Sequence, residues 1–203
     1  IINTLFPLNR TIYITPDFHQ VITSRPRMSD VCGEPLIDIS SSSMAAYTAN
    51  LKRIGDIAVS GLCLIALSPL MIAIAVAVKL SSPGPAIYSQ ERIGYHKKPF
   101  KIFKFRSMVT GAEPSGPALS SPNDSRITRT GQFLRKYRLD ELPQFWNVLR
   151  GDMSLVGPRP ERAFYVSQII ERAPYYSLVH QVRPGITSWG IVKFGYASSV
   201  DEM

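Results

Sequence analysis

Ile57-Ala58-Val59-Ser60-Gly61-Leu62-Cys63-Leu64-Ile65-Ala66-Leu67-Ser68-Pro69-Leu70-Met71-Ile72-Ala73-Ile74-Ala75-Val76-Ala77-Val78 is the stretch that decides how this chain is built. It holds 22 residues without a charge, and a Ser68-Pro69 step stands in its middle. A bilayer core of ~30 Å takes ~20 helical residues, so a run of this length is a membrane signal. Proline removes a hydrogen bond from a helix interior and crowds the preceding turn. Each half on its own would reach only ~15 Å at 1.5 Å per residue. A kinked spanning helix, a segment that enters and turns back, and a buried core helix all stand open from the run alone.

The flanks favour turning back. Lys52 and Arg53 precede the run, Lys79 closes it, and Arg92, Lys97, Lys98, Lys101, Lys104 and Arg106 follow. Basic residues beside membrane segments favour the cytoplasmic side. Both flanks are basic, and a helix–break–helix hairpin keeps both there. The backbone groups freed at the break need partners, and the Ser68 hydroxyl is placed to supply one.

The chain has 203 residues and a net charge of +8, pointing to anionic partners. Nucleic acid, anionic lipid and phosphorylated substrates all qualify. Seventeen of the 23 Lys and Arg follow Leu80, against ten of the 15 acids, so the partner is expected to bind there. Two distant cysteines suggest neither a disulfide framework nor a zinc site. The opening residues lack the basic start and cleavage site of a signal peptide.

Three parts follow. In residues 1–50, the runs Thr11–Ile14, Gln20–Ile22 and Pro35–Ile39 read as strands, and Ser40–Ser43 as a linker. Residues 51–80 are the membrane segment. Residues 81–203 carry the chemistry. Ala86–Gln90 reads as a short strand, and Phe100–Arg106 as a half-buried strand with a cationic face. Gly111–Asp124 is rich in Gly, Pro and Ser and reads as a loop. Apolar residues at 142, 145, 146 and 149 have helical spacing, and Gly151 is a stop. Because Pro143 is tolerated only in a first turn, the helix is expected to begin near Asp140. That would place Asp140 and Glu141 at its positive end.

Taken alone, Asp140 reads as an N-cap and Glu141 as a first-turn charge. Phosphoryl transfer offers a second reason for two acids among many cations. Its substrates need cationic clamps, its usual Mg²⁺ needs a carboxylate, and a carboxylate can be the nucleophile. In Pro158-Arg159-Pro160, two prolines fix the backbone around an arginine, a mount suited to bidentate phosphate contact. An ordinary Pro-rich turn stands beside that reading.

Together these residues resemble the bacterial sugar transferases, the monotopic phosphoglycosyl transferases. The matching text is Lys52–Asp56, Ser68-Pro69, Gln90–Gly94, Phe100–Met108, Leu139–Gln144, Asn147–Ser154, Val156–Pro160 and Arg183–Trp189. The resemblance implies a membrane-associated α/β fold: a re-entrant helix broken at Ser68-Pro69, then a small cytoplasmic α/β catalytic domain. It implies transfer of a sugar 1-phosphate from a UDP-sugar to a polyprenyl phosphate in the bacterial inner membrane, with UMP as the other product. Asp140 falls on the family's nucleophile and lies near the Mg²⁺, with Glu141 assisting. Arg159, between Pro158 and Pro160, falls on a nucleotide or phosphate clamp. Arg135 looks like a further phosphate contact, with Lys104 and Arg106 as weaker ones. Residues 1–50 look like the end of a Rossmann-like domain of a larger member. Ser188 stands where the family commonly has glycine, and Ile191 where it commonly has glutamine. Nucleic acid is not an expected partner, and room remains for a homo-oligomer. A non-catalytic membrane scaffold is the alternative.

Overall fold

The structure is a computed structural model and describes residues 13–14, 28–31, 34–38, 46–113, 116 and 124–195. Early in the chain, β1 (Tyr13–Ile14), β2 (Met28–Val31) and β3 (Glu34–Asp38) form an antiparallel sheet in the order β1-β3-β2. The expected strands Thr11–Ile14 and Pro35–Ile39 fall on β1 and β3. Gln20–Ile22 and the Ser40–Ser43 linker lie outside the described residues.

The apolar stretch forms two helices, α1 (Ala46–Ala66) and α2 (Ser68–Ser81), bent by 62° at Leu67. No single described helix is long and apolar enough to cross a membrane. Pro69 has no N–H to give the carbonyl of Ile65, four residues back. The Ser68 hydroxyl donates to that carbonyl instead, at 2.8 Å. The hairpin has two unlike faces. Leu62, Ile65, Ile72 and Leu80 are 66–83% exposed, while Ile74 and Val78 are buried.

The buried face is half of a core. Ile74 and Val78 pack with Phe105 and Leu134, and Leu139 and Leu142 lean on the cluster. A second cluster joins Ile102, Val148 and Met153. Both clusters draw on β5 (Pro99–Phe105), which pairs antiparallel with β4 (Ile87–Ile93) in register from Ile87–Phe105 to Ile93–Pro99. The single cationic face expected of this strand is not what forms. Side chains alternate along a strand, so Lys104 shares a face with buried Ile102 while Lys101 takes the other. Arg106, just past the strand, is buried.

After β5 the chain makes α3 (Arg129–Lys136), capped by Thr128, whose hydroxyl accepts from the Gly131 amide at 2.9 Å. Then come α4 (Gln144–Arg150), β6 (Ser154–Val156), α5 (Ala163–Arg172), β7 (Gly185–Thr187) and α6 (Trp189–Phe194). β6 and β7 are parallel. A Cβ on Gly157 would lie 2.3 Å from the Arg183 carbonyl oxygen, so only glycine permits that approach. Ser188 caps α6 by accepting from the Ile191 amide at 3.2 Å. That gives this departure from the family pattern a local purpose.

Polar bolts fasten α1 to the rest. The Arg53 guanidinium donates to the carbonyls of Val148 (2.7 Å) and Leu149 (3.1 Å) at the end of α4. Buried Asp56 accepts from Lys52 at 3.0 Å, the Ser154 hydroxyl at 2.8 Å and the Leu155 amide at 3.3 Å. Lys52 also reaches the Ser154 hydroxyl.

Candidate active site

A cleft of about 1020 Å³ opens between the β4–β5 hairpin, the Met108–Glu113 segment, α3 and the loop after β6. Lys104, Arg106, Arg135, Asp140, Glu141 and Arg159 all line it. Six residues proposed from the sequence as catalytic or phosphate-binding thus share one cavity.

The carboxylates are not in the first turn of a helix, as the position of Pro143 led one to expect. Arg138 takes a left-handed conformation (φ 59°), Leu139–Glu141 form a single 3-10 turn, and α4 starts only at Gln144. A non-glycine residue held left-handed costs ~1–2 kcal/mol. Here it reverses the chain after α3, while Leu139 and Leu142 on either side anchor in the core. Asp140 and Glu141 are therefore buried, 7% and 9% exposed, at the cleft wall.

Their charges are countered from several directions. Lys104 Nζ lies 2.8 Å from Glu141 Oε1. Burial pushes the Asp140 carboxyl above the usual carboxylate range; Lys104 and Arg135 oppose this, and the Glu141 charge adds to it. Burial pushes the Lys104 ammonium down, against the pull of Glu141. Burial also lowers the Arg135 guanidinium, with Asp140 opposing. The Arg135 Nε donates to the Ser107 hydroxyl at 2.8 Å.

Arg159 is held by its neighbour. Its Nε lies 3.0 Å from Glu161 Oε1, and the other oxygen of Glu161 accepts from Arg92 at 3.0 Å. Arg92 also donates to Gln90 Oε1 (2.8 Å) and to the Pro160 carbonyl (3.2 Å). The Pro158 carbonyl accepts from the Gly185 amide at 2.8 Å. The two prolines thus fix the Arg159 loop through their carbonyls as well as their rings. Tyr176 stands nearby, its phenol pushed up to about 12 by burial and by Glu161.

Arg106 lines the cleft but turns its guanidinium elsewhere. It donates to the carbonyls of Ser82 (2.6 Å), Pro83 (3.0 Å) and Val78 (3.4 Å), closing the end of α2. Ser68 and Pro69 make the bend and do not line the cleft.

Sequence reasoning gave no role in the site to Asn147, Ser107, Arg92 or Glu161. Asn147 is fully buried; its Oδ1 accepts from the Phe103 amide (3.0 Å) and its Nδ2 donates to the Lys101 carbonyl (2.7 Å). It locks α4 to the strand that carries Lys104. Asn147, Ser107 and Arg92 lie within the stretches that carried the resemblance and Glu161 directly follows one, but the pairs Ser107–Arg135, Asn147–Phe103 and Arg92–Glu161 are 28, 44 and 69 residues apart. Local pattern does not reveal such pairs.

Among the described residues, no three His, Cys, Asp or Glu side chains gather as a metal cluster. Mg²⁺ typically takes one or two carboxylates and completes its shell with water and substrate phosphates. Asp140 and Glu141, consecutive residues on a cleft wall shared with Lys104, Arg135 and Arg159, fit that pattern.

Comparison with known proteins gives the family of the chain. The family model described as bacterial sugar transferase matches residues 47–203. A UDP-N-acetylgalactosamine-undecaprenyl-phosphate N-acetylgalactosaminephosphotransferase of Aeromonas hydrophila is 41% identical over 191 residues, covering 94% of this chain and 44% of that protein. A UDP-glucose:undecaprenyl-phosphate glucose-1-phosphate transferase of Escherichia coli is 39% identical over 193 residues, covering 95% and 41%. A putative undecaprenyl-phosphate N-acetylgalactosaminyl 1-phosphate transferase of Bacillus subtilis is 44% identical over 137 residues, covering 68% and 76%. The chain spans less than half the length of the first two relatives. With the family model matching more than three quarters of its length, the chain belongs to the bacterial sugar transferase family.

Proposed function

We propose that this protein transfers a sugar 1-phosphate from a UDP-sugar to a polyprenyl phosphate at the cytoplasmic face of the bacterial inner membrane. The observation that carries the reading is the meeting of buried Asp140 with Lys104, Arg135 and Arg159 in one large cleft. Relatives named for transfer to undecaprenyl phosphate support it.

In the first step an Asp140 carboxylate oxygen attacks the phosphorus that bears the sugar. The bond from that phosphorus to the bridging oxygen breaks, and UMP leaves with the electron pair. A phosphate oxygen of the polyprenyl acceptor then attacks the same phosphorus. The acyl-phosphate bond breaks and the Asp140 carboxylate is restored. Splitting the transfer this way means two large anions need not be bound together.

Burial favours Asp140 as a reactive group, since a desolvated carboxylate is less masked by water; Lys104 and Arg135 oppose the rise in its pKa that burial brings. Arg159 and Arg135 offset charge on the reacting phosphates, fixed in advance by Glu161 and Ser107. Mg²⁺ would be held by Asp140 and Glu141 and would supply charge neutralisation on the diphosphate. The exposed apolar face of α1 and α2 suits insertion into one leaflet, with the basic flanks at the headgroups.

The test uses the full-length protein in nanodiscs with Mg²⁺, polyprenyl phosphate and a panel of UDP-sugars. UMP release and covalent mass are measured for wild type and Asp140→Asn. The expected result is UMP release with at least one donor, and a sugar-phosphate adduct absent from Asp140→Asn. UMP release that survives the substitution would overturn the covalent step. No turnover with any donor would overturn the reaction.

A further inference from the structure

We propose that Glu161 is a positioning residue for the transfer, acting through Arg159. The inference rests on the reading of the cleft as the donor's diphosphate site. Glu161 divides its two oxygens between two arginines, Oε1 to Arg159 Nε at 3.0 Å and Oε2 to Arg92 at 3.0 Å. Its own backbone carbonyl accepts from the Ile93 amide at 2.9 Å, tying it to the end of β4. Arg92 is in turn held by Gln90 and by the Pro160 carbonyl. The carboxylate is thus held by Arg92, and its backbone by Ile93, before it meets Arg159.

The point of contact matters. A guanidinium gripped at Nε has its plane set, so its outer edge is aimed rather than swinging about its long stem. Arg159 shares the large cleft with Lys104, Asp140 and Glu141, where a diphosphate held beside Asp140 would lie. Glu161 thereby settles where the clamp stands, while Arg92, partly buried beside it, opposes any withdrawal of the carboxylate toward solvent. An ordinary ion-pair strut would stabilise the fold without caring whether Arg159 is present.

The experiment is a double-mutant cycle on the full-length protein in nanodiscs, read by UDP affinity in calorimetry and by KM and kcat for the active donor. Glu161→Gln is expected to weaken UDP about tenfold, raising KM with a smaller change in kcat. In an Arg159→Ala background the same change is expected to add nothing. Glu161→Asp keeps the charge but falls one methylene short of bridging both arginines, and is expected to resemble Glu161→Gln. Arg159→Lys keeps the charge and lacks the Nε–H that Glu161 grips, so it is expected to bind UDP as poorly as Arg159→Ala. That variant leaves Glu161 intact, so it decides the matter if the Glu161 variants do not fold.

Equal loss of UDP affinity in both backgrounds, or wild-type affinity in Arg159→Lys, would overturn the proposal. Donor turnover by wild type with no coupling between the two residues overturns Glu161 alone. UDP binding and coupling without turnover of any donor removes the proposed reaction and keeps the role of Glu161. A wild type that binds no UDP overturns both.

Discussion

Replacing Asn147 by alanine is expected to cost more stability than any surface change in the chain. Asn147 has no exposure, and both ends of its amide are used on β5: Oδ1 by the Phe103 amide and Nδ2 by the Lys101 carbonyl. Alanine strands both backbone groups, since the strand edge they belong to is covered by α4. A buried group left without its partner costs ~1–3 kcal/mol, so the pair amounts to about 4 kcal/mol. For a protein of this size that corresponds to a melting point lower by roughly 8–16 °C. Thermal unfolding of the full-length protein in detergent, followed by intrinsic fluorescence, measures it. Asn147→Asp sharpens the test. Its oxygen still serves the Phe103 amide, but its second oxygen faces the Lys101 carbonyl, with Asp152 close by. It is expected to be at least as damaging as alanine. A drop of under about 3 °C for alanine, or an aspartate variant as stable as wild type, would refute this account of how α4 is locked to β5.

Other outcomes follow from the same geometry. Asp140→Asn should raise the melting temperature at pH 8 without Mg²⁺, because the folded-state pKa of Asp140 is raised and its ionisation costs stability. That cost appears as pH rises above the ordinary carboxylate value of about 3.9, so the gain should vanish below it; an equal gain at every pH would refute the cause. Gly131→Ala should destabilise by about 3 kcal/mol in the same melt, because its Cβ would sit 1.9 Å from the Ser107 carbonyl oxygen. Pro69→Ala restores the N–H that Ile65 lacks and should open the 62° bend. In vesicles, a cysteine placed at Tyr47 would then react with an impermeant reagent from the opposite side; unchanged sidedness would show that Pro69 does not set the bend.

Much of this was legible in the residues themselves. The break at Ser68-Pro69 announces the bend because proline's missing donor is a local fact. β4 and β5 show in their aromatic and β-branched residues, and Gly151 stops α4 where its left-handed φ is needed. The cleft residues could be named singly, since acids among many cations ask for an explanation. What stayed hidden depends on pairing across the chain. The left-handed Arg138 detaches Asp140 from α4, and no local signal marks a non-glycine residue for that conformation. Arg106 looks like any other cation in its strand until the end of α2 arrives to use it. Glu161 and Arg92 belong to elements 69 residues apart, and only the fold makes them partners.

The sharing of one core between α2 and β5 has a practical side. Ile74 and Val78 fill the space over Phe105 and Leu134, and Arg53 and Asp56 are wired into α4 and β6. Among the described residues, the cleft is joined to the hairpin by packing and hydrogen bonds and not by a slack tether. Were the hairpin seated in a leaflet, as proposed, Asp140 would stand at a fixed altitude. Under the proposed reaction, an acceptor would then be sorted by how far its phosphate stands from the hydrocarbon, before any contact with its chain is made. Trimming residues 46–80 to obtain a water-soluble enzyme would remove the ruler and one wall of the building together.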